Sequence, residues 1–352
     1  MMDDDYDVGS RRMAPDVLVS GTRSITHDFA DFSSDHPLFR ALEARTELEW
    51  AYYQAGPTAA SSSNAKEPLV FCHGTSGTAS AFFYQVRALA AKGYRVISAQ
   101  YPAYGSSEEW CKGFDRFLDT IKCRVVHLFG AGLGGFLTQH FASMYPRRVK
   151  SIILCNSFAS THPFADKAGS LASMVHFAPT ALLQKVVLDN FPECGMELSA
   201  KQAIDFIAQQ VCDIRGNDLA SRLSLNSTAS CAGALSLDMS RITLMESSGE
   251  TMVPDGLRRQ LRGLYPGARI AQLKATGDFP YLSRPDEVTL FIEVHLRSAG
   301  DFSVGVAAQP QPQPEASTAR VWQDDIDVDV HARPSERRVA NSWVNPFEDD
   351  LL

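Results

Sequence analysis

Residues 125–142, VVHLFGAGLGGFLTQHFA, limit what this chain can become more than any other stretch. An apolar run rich in β-branched residues meets the glycines at 130, 132, 134 and 135. Behind them Phe136, Leu137, His140 and Phe141 recur at helical spacing. The stretch predicts a buried strand, a tight turn and a helix, with His127 and His140 as packing residues inside the strand and the helix.

The flanking text repeats that unit. Residues 68–72, PLVFC, predict a short strand ending in His73, Gly74, Thr75, Ser76 and Gly77, followed by a helix through Phe82, Phe83, Val86, Leu89 and Ala90 that Gly93 closes. A strand at 94–99 and a helix at 108–123 follow, then the glycine-rich unit, then a strand at 149–155. Strands at 241–245 and 268–273, with helices at 254–264 and 284–297, complete the register, and His295 near the end of the last helix reads as a surface or dipole-facing residue. Residues 37–56 alternate in part and suit opening strands. Strand and helix in turn predict an α/β fold with a mostly parallel sheet and helices on both faces. From 157 to 237 only helical and irregular signals occur, which predicts a helical cap inserted over the carboxyl ends of the strands.

The 352 residues, 45% of them hydrophobic, suffice for one large α/β core with its ends left over. Residues 1–35 read as an acidic, polar lead-in, loosely packed, and 36–298 as the folded domain. Residues 299–352 read as a disordered acidic tail: past 300 there are ten acidic and four basic residues, with a QPQPQP linker and an acidic DDIDVDV run. A formal net charge of -8 offers no basic stripe to a nucleic-acid backbone, so no nucleic-acid partner is expected. The seven cysteines are dispersed and odd in number, which suits small buried thiols in a reducing compartment better than a disulfide framework. None has metal-ligand spacing, and neither a metal nor a cofactor is expected. With no signal-peptide pattern and no long apolar span, the chain is expected in the cytoplasm, meeting membranes only peripherally.

The glycine-rich unit resembles the nucleophile elbow of the α/β-hydrolase superfamily, in which a strained G-x-S-x-G turn lifts a serine onto the start of a helix. Here the turn is Gly130, Ala131, Gly132, Leu133 and Gly134, and the nucleophile position has no side chain. More narrowly, HGTSGTASAFFYQV (73–86), GYRVISAQYP (93–102), the elbow, SIILCNSF (151–158), AIDFI and LASRLSLN in the cap, and LKATGDFPYLSR (273–284) resemble the maspardin family. That resemblance spans roughly residues 36–298. It implies the α/β-hydrolase fold, a place in endosomal membrane traffic, and peripheral association with endosomes or the trans-Golgi network. It also implies protein partners, among them a receptor tail or vesicle protein on the cap face.

Hydrolysis by this fold needs a nucleophile, an acid and a histidine in that chain order. Gly132 cannot attack a carbonyl. Glu250, four residues before Pro254, stands nearest the acid position. The histidine of a G-H-F-P loop is replaced by Asp278, whose ordinary pKa near 4 suits neither base nor imidazolium chemistry. These three are read as vestigial positions. The hydroxyls of Thr75, Ser76 and Ser157 and the imidazoles of His73 and His162 lie near the same edge, with His73 shaping the oxyanion loop. The backbone of His73, Gly74, Thr75, Ser76, Leu133 and Gly134 forms a candidate oxyanion or ligand pocket for a carboxylate, phosphate or lipid headgroup. A core closed by a collapsed cap is the alternative. The reading is a non-catalytic interaction protein, an adaptor or regulator in membrane traffic. The alternatives are a weak esterase or lipase with a non-standard nucleophile such as Ser76, or a small-ligand receptor.

Near the end, Asn345, Pro346 and Phe347 precede acidic residues. An Asn-Pro-Phe turn with acidic residues behind it resembles the ligand of EH domains on endocytic proteins.

Overall fold

The computed structural model describes residues 24–43, 46–58, 66–192, 197–249, 251–274 and 277–300, of which 170–173 and 300 are described by backbone only. The expectations for residues 1–23, for Glu250 and for the tail with Asn345, Pro346 and Phe347 concern positions outside these.

Apolar runs without polar alternation make the centre of the sheet. β1 (Phe39–Leu42) and β2 (Glu49–Ala55) form a hairpin at one edge, followed by β3 (Leu69–Cys72), β4 (Val96–Gln100), β5 (Val126–Ala131), β6 (Val149–Cys155), β7 (Ile242–Ser247) and β8 (Arg269–Leu273). The strand order is β1-β2-β4-β3-β5-β6-β7-β8, parallel from β4 to β8 and antiparallel at β1-β2 and β2-β4. β3, β5 and β7 are buried at every position, as strands covered on both faces must be.

Successive side chains divide between the two faces. Leu69 and Phe71 point to the layer of α1 (Ile25–Asp35), α2 (Phe83–Ala91) and α11 (Pro285–Gly300). Val70 and Cys72 point to the layer of α3 (Ser107–Thr120), α4 (Leu133–Met144) and α9 (Asp255–Leu264). Between β6 and β7 the chain makes α5 (His162–Ala168), a 3-10 stretch (Gly169–Phe177), α6 (Thr180–Leu188), α7 (Leu198–Cys212) and α8 (Gly216–Ser227). A bridge between Ser160 and Cys231 ties the two ends of this insertion. The short α10 (Pro280–Ser283) precedes α11. The α/β-hydrolase fold, with its mostly parallel sheet, is the architecture observed.

Three expectations are corrected. Residues 25–35, read as loose lead-in, form α1. The Ser24 hydroxyl accepts from the His27 N–H at 3.2 Å, and Ile25 and Phe32 are buried. Phe29 sets its ring against Phe83 of α2 and Phe206 of α7, both 5.5 Å away, so α1 joins the body to the cap. Polar residues dilute its single apolar stripe, which is what hides it in the sequence. His295 is not at the surface either: it is 1% exposed, with Nδ1 at 2.8 Å from Thr243 Oγ1 and Nε2 at 2.7 Å from Ser151 Oγ. The same Ser151 hydroxyl meets His127 Nδ1 at 2.6 Å, so one hydroxyl lies between two imidazoles. Finally, Cys72, Cys111, Cys123 and Cys155 are buried, whereas Cys212 and Cys231 are exposed thiols.

Burial, helped by the nearby His127 and Arg269, pulls the His295 pKa down from 6.5 to about 3. Between those values the unfolded chain holds a proton on this residue that the folded chain does not. Its contribution to stability is therefore complete above pH 6.5 and lost as pH falls towards 3, with a slope of up to about 1.4 kcal/mol per pH unit. Thermal unfolding between pH 7 and pH 4 checks this: the midpoint is expected to fall more steeply with acid in the unaltered chain than in His295→Gln.

Candidate functional site

The elbow forms where β5 passes into α4. Gly132 sits at φ 50°, ψ −121°, a conformation costly for L-residues. Its N–H donates to the Cys155 carbonyl at 3.0 Å, and its own carbonyl accepts from the Ser157 hydroxyl at 2.9 Å. The neighbouring glycines are fixed by close approach. A Cβ on Gly130 would lie 2.4 Å from the Gly135 Cα, and one on Gly134 would lie 2.2 Å from the Cys72 carbonyl oxygen. A Cβ on Gly132 meets nothing nearer than the Gly74 Cα at 3.9 Å. Space for a side chain at the apex is present.

Above the apex lies a cavity of about 480 Å³ between the strand ends and the cap. The collapsed-cap alternative is thereby corrected: the cap helices stand off the elbow. Gly74, Thr75, Ser76, Leu133, Asn156 and Asp278 line the cavity with Gly132, and the cap supplies apolar walls. Of the candidate pocket residues, His73 and Gly134 are not in its lining. Gly134 is packed against the end of β3. His73 is fully buried, donates from Nδ1 to the Gly74 carbonyl at 2.7 Å, and stacks on Tyr101 at 4.4 Å. Burial first, then the Arg222 charge, holds its pKa well below the ordinary imidazole value. It shapes the loop and stays neutral.

Asp278 is 8% exposed. Its Oδ1 accepts from the Met252 N–H at 2.7 Å and its Oδ2 has no partner. Burial raises its pKa from 3.8 to about 6, against the opposing pull of the Met252 N–H and the Arg258 charge. The expected ordinary carboxylate value is thus corrected, because the loop buries this side chain. The Ser76 hydroxyl lines the cavity with no imidazole bonded to it among the described contacts, and the Ser157 hydroxyl is engaged with Gly132. Among the described residues no group of three His, Cys, Asp or Glu side chains is placed to hold a metal.

Two residues of this site escape sequence reasoning. Asn156, at φ 40°, donates from Nδ2 to Ser247 Oγ (2.9 Å) and the Gly277 carbonyl (3.2 Å), and accepts from the Ser247 N–H at 2.9 Å. It fastens the Asp278 loop to the ends of β6 and β7. Arg222, on cap helix α8, is fully buried and donates from Nη1 to the carbonyls of Gly77 (2.8 Å) and Thr75 (3.2 Å), with its guanidinium over the Tyr101 ring at 5.1 Å. The cap thereby holds the oxyanion loop. Only its place in an amphipathic cap helix was readable.

Comparison with known proteins agrees with this geometry. Residues 67–192 match the alpha/beta hydrolase fold family. Maspardin of Danio rerio is 38% identical over 276 residues, covering 78% of this chain and 86% of that protein. Human maspardin is 37% identical over 279 residues, covering 78% and 88%. The chain belongs to the maspardin family. Among solved structures, a thermophilic esterase from Thermogutta terrifontis superposes with a TM-score of 0.62 at 16% identity, covering 75% of this chain and 99% of the esterase. A hydrolase from Pseudomonas aeruginosa gives 0.59 at 16%, covering 74% and 98%. This maspardin-family chain thus has a hydrolase fold with glycine at the apex of its elbow.

The open space and the strained backbone together set the outcome of refilling the apex. Gly132→Ser is expected to fold, to lose about 1 to 3 kcal/mol to the unfavourable backbone conformation, and to gain no ester hydrolysis, since no histidine is among the described residues that line the cavity above the apex. Denaturant midpoints and nitrophenyl-ester turnover measure both.

Proposed function

We propose that this maspardin-family chain is a non-catalytic α/β-hydrolase-fold protein that acts by binding, as an adaptor or regulator of endosomal or trans-Golgi membrane traffic. The observation that carries the reading is Gly132: the turn, the following helix and the cavity are kept while the apex has no nucleophilic side chain. Removal of one member of a triad typically costs several orders of magnitude in rate. Asp278 does not restore what is lost, because it has no hydroxyl to deprotonate and one of its oxygens is held by Met252. Among the described residues no helix is long and apolar enough to cross a membrane. Peripheral association from the cytoplasm is the form of membrane contact proposed.

Two surfaces serve partners in this reading. The cap presents exposed apolar side chains at Met174, Phe177 and Leu198, suited to a receptor tail or a vesicle protein. The Asn345, Pro346 and Phe347 motif suits the apolar pocket of an EH domain. A second reading, a small-ligand receptor, is favoured by the open cavity of about 480 Å³; both readings share the absence of turnover.

Purified chain is expected to leave short-chain nitrophenyl esters at the buffer rate, with Ser76→Ala indistinguishable from it; turnover that disappears in Ser76→Ala establishes the esterase alternative instead. For the tail, EH-domain proteins are expected to be recovered by the full chain and lost from a chain lacking residues 345–352. Equal recovery by both removes the motif from the proposal.

A further inference from the structure

The cavity above Gly132 is built of two unlike parts. Its upper walls are hydrocarbon, from Phe158, Phe164, Val175, Leu183, Val187 and Phe191. At about 30 Å³ per heavy atom, the volume a water occupies in the liquid, its 480 Å³ holds roughly sixteen such atoms. Its floor is the start of α4, a helix of 12 residues, where the leading N–H groups have no acceptor within the helix and the dipole favours negative charge. Arg222 adds to that bias from behind the loop. Its charge is fully buried, its Nε and Nη2 have no partner, and its bond to the Thr75 carbonyl polarises the peptide whose N–H belongs to Ser76, a lining residue.

The same lining holds Asp278, more than nine-tenths buried, with Oδ2 unpartnered. A buried carboxyl oxygen without a partner is costly. A ligand suited to both features has a long apolar part and a head that accepts from the helix N-terminus while bridging a proton to a carboxyl. An ester accepts but brings no proton, a phosphodiester keeps a charge with no proton to share, and a phosphate monoester sets up to about two charges against the carboxylate. A carboxylic acid meets both demands.

We propose that this cavity binds a single-chain fatty acid, its hydrocarbon in the cap and its carboxyl group between the Leu133 N–H and Asp278, with which it shares one proton. The proposal rests on the ligand-binding reading above and names its ligand class. It follows the logic of paired carboxyls, which together hold one proton more readily than none.

The groups around Asp278 are the Met252 N–H from the loop after β7, Arg258 from α9, Cys155 at the end of β6, Tyr281 from α10, and Lys167 from α5 in the cavity lining. Arg258 gives Nη1 to the Ser247 carbonyl and Nη2 to Asp255, so it does not neutralise Asp278 directly. Burial raises the pKa of Asp278 to about 6. Above that pH both carboxyls are charged before binding, the complex takes up a proton, and affinity falls by up to about tenfold per pH unit.

Calorimetric titration of the full chain with dodecanoic acid and with methyl dodecanoate, at pH 5.5 and pH 8, tests this. The acid is expected to bind at pH 5.5 and at least tenfold more weakly at pH 8, while the ester binds less well than the acid at pH 5.5. Asp278→Asn is expected to abolish the pH step for the acid. Val186→Trp, at a half-buried lining position, and Val187→Trp are expected to block binding, each checked for an unchanged unfolding midpoint. The proposal is overturned if the acid does not bind at pH 5.5, if the ester binds as tightly, if the pH step persists in Asp278→Asn, or if either well-folded tryptophan variant binds the acid normally. Recovery of the ester is a separate readout: methanol release refutes the non-catalytic reading, whereas failure of the acid to bind refutes only the ligand assigned here.

Discussion

The approach of one backbone to another at the head of α4 governs the rest of this molecule. Gly130 and Gly135 face each other across the elbow, and Gly134 lies against the carbonyls of Cys72 and His73. No side chain fits at these places, so the helix start, the end of β3 and the end of β5 form one rigid unit. Everything that defines the cavity floor hangs from it: the leading N–H groups of α4, the loop from Gly74 to Ser76, and the Cys155 carbonyl that receives the Gly132 N–H. Gly132 is outside that constraint. The packing that specifies the fold and the hydroxyl that elsewhere performs its chemistry are thus held by different residues, and one is present without the other.

Buried charge is handled by enclosure. Glu43, 1% exposed, receives Trp50 Nε1 at 3.1 Å, Arg116 Nε at 2.9 Å and Nη2 at 2.7 Å, Thr46 Oγ1 at 2.7 Å and the Tyr104 hydroxyl. These bonds hold its pKa down although burial pushes it up, and they pin the edge hairpin to α3. Arg222 has no such set of partners. Its compensation is two carbonyls, an aromatic face and the more distant Asp218, whose carboxylate is bonded to Arg215. The carboxylate at the sheet edge is fully satisfied, whereas the guanidinium behind the cavity keeps Nε and Nη2 without partners.

The core strands and their helices were legible because their signals are local. β3 reads as an unbroken apolar run and β5, β6 and β7 as predominantly apolar ones, and Trp110, Phe114, Phe117 and Leu118 recur on one face of α3. The elbow was legible from its glycines. What escaped depends on partners far off in the chain. α1 has only Ile25, Phe29 and Phe32 to announce it, and its burial comes from Phe83 and Phe206. His295 reads as a helix-end residue until Ser151 and Thr243 are brought to it. Arg222 and Asn156 are ordinary letters in a cap helix and a strand end; their roles arise only when the oxyanion loop and the Asp278 loop come within reach. The ordinary acidity first assigned to Asp278 failed for the same reason, since burial is a property of the assembled wall.

The position of α1 bears on how the cap moves. Phe29 touches both the body and α7, Thr26 meets Gln209 at 3.2 Å, and on the neighbouring turn Ser80 meets Gln210 at 2.7 Å. A cap joined to the sheet only through its own two ends can swing as a hinged flap. This one is also strapped from the side by a helix that precedes the first strand. Access to the interior is then a matter of rate as much as of shape, governed by how often this short helix lets go.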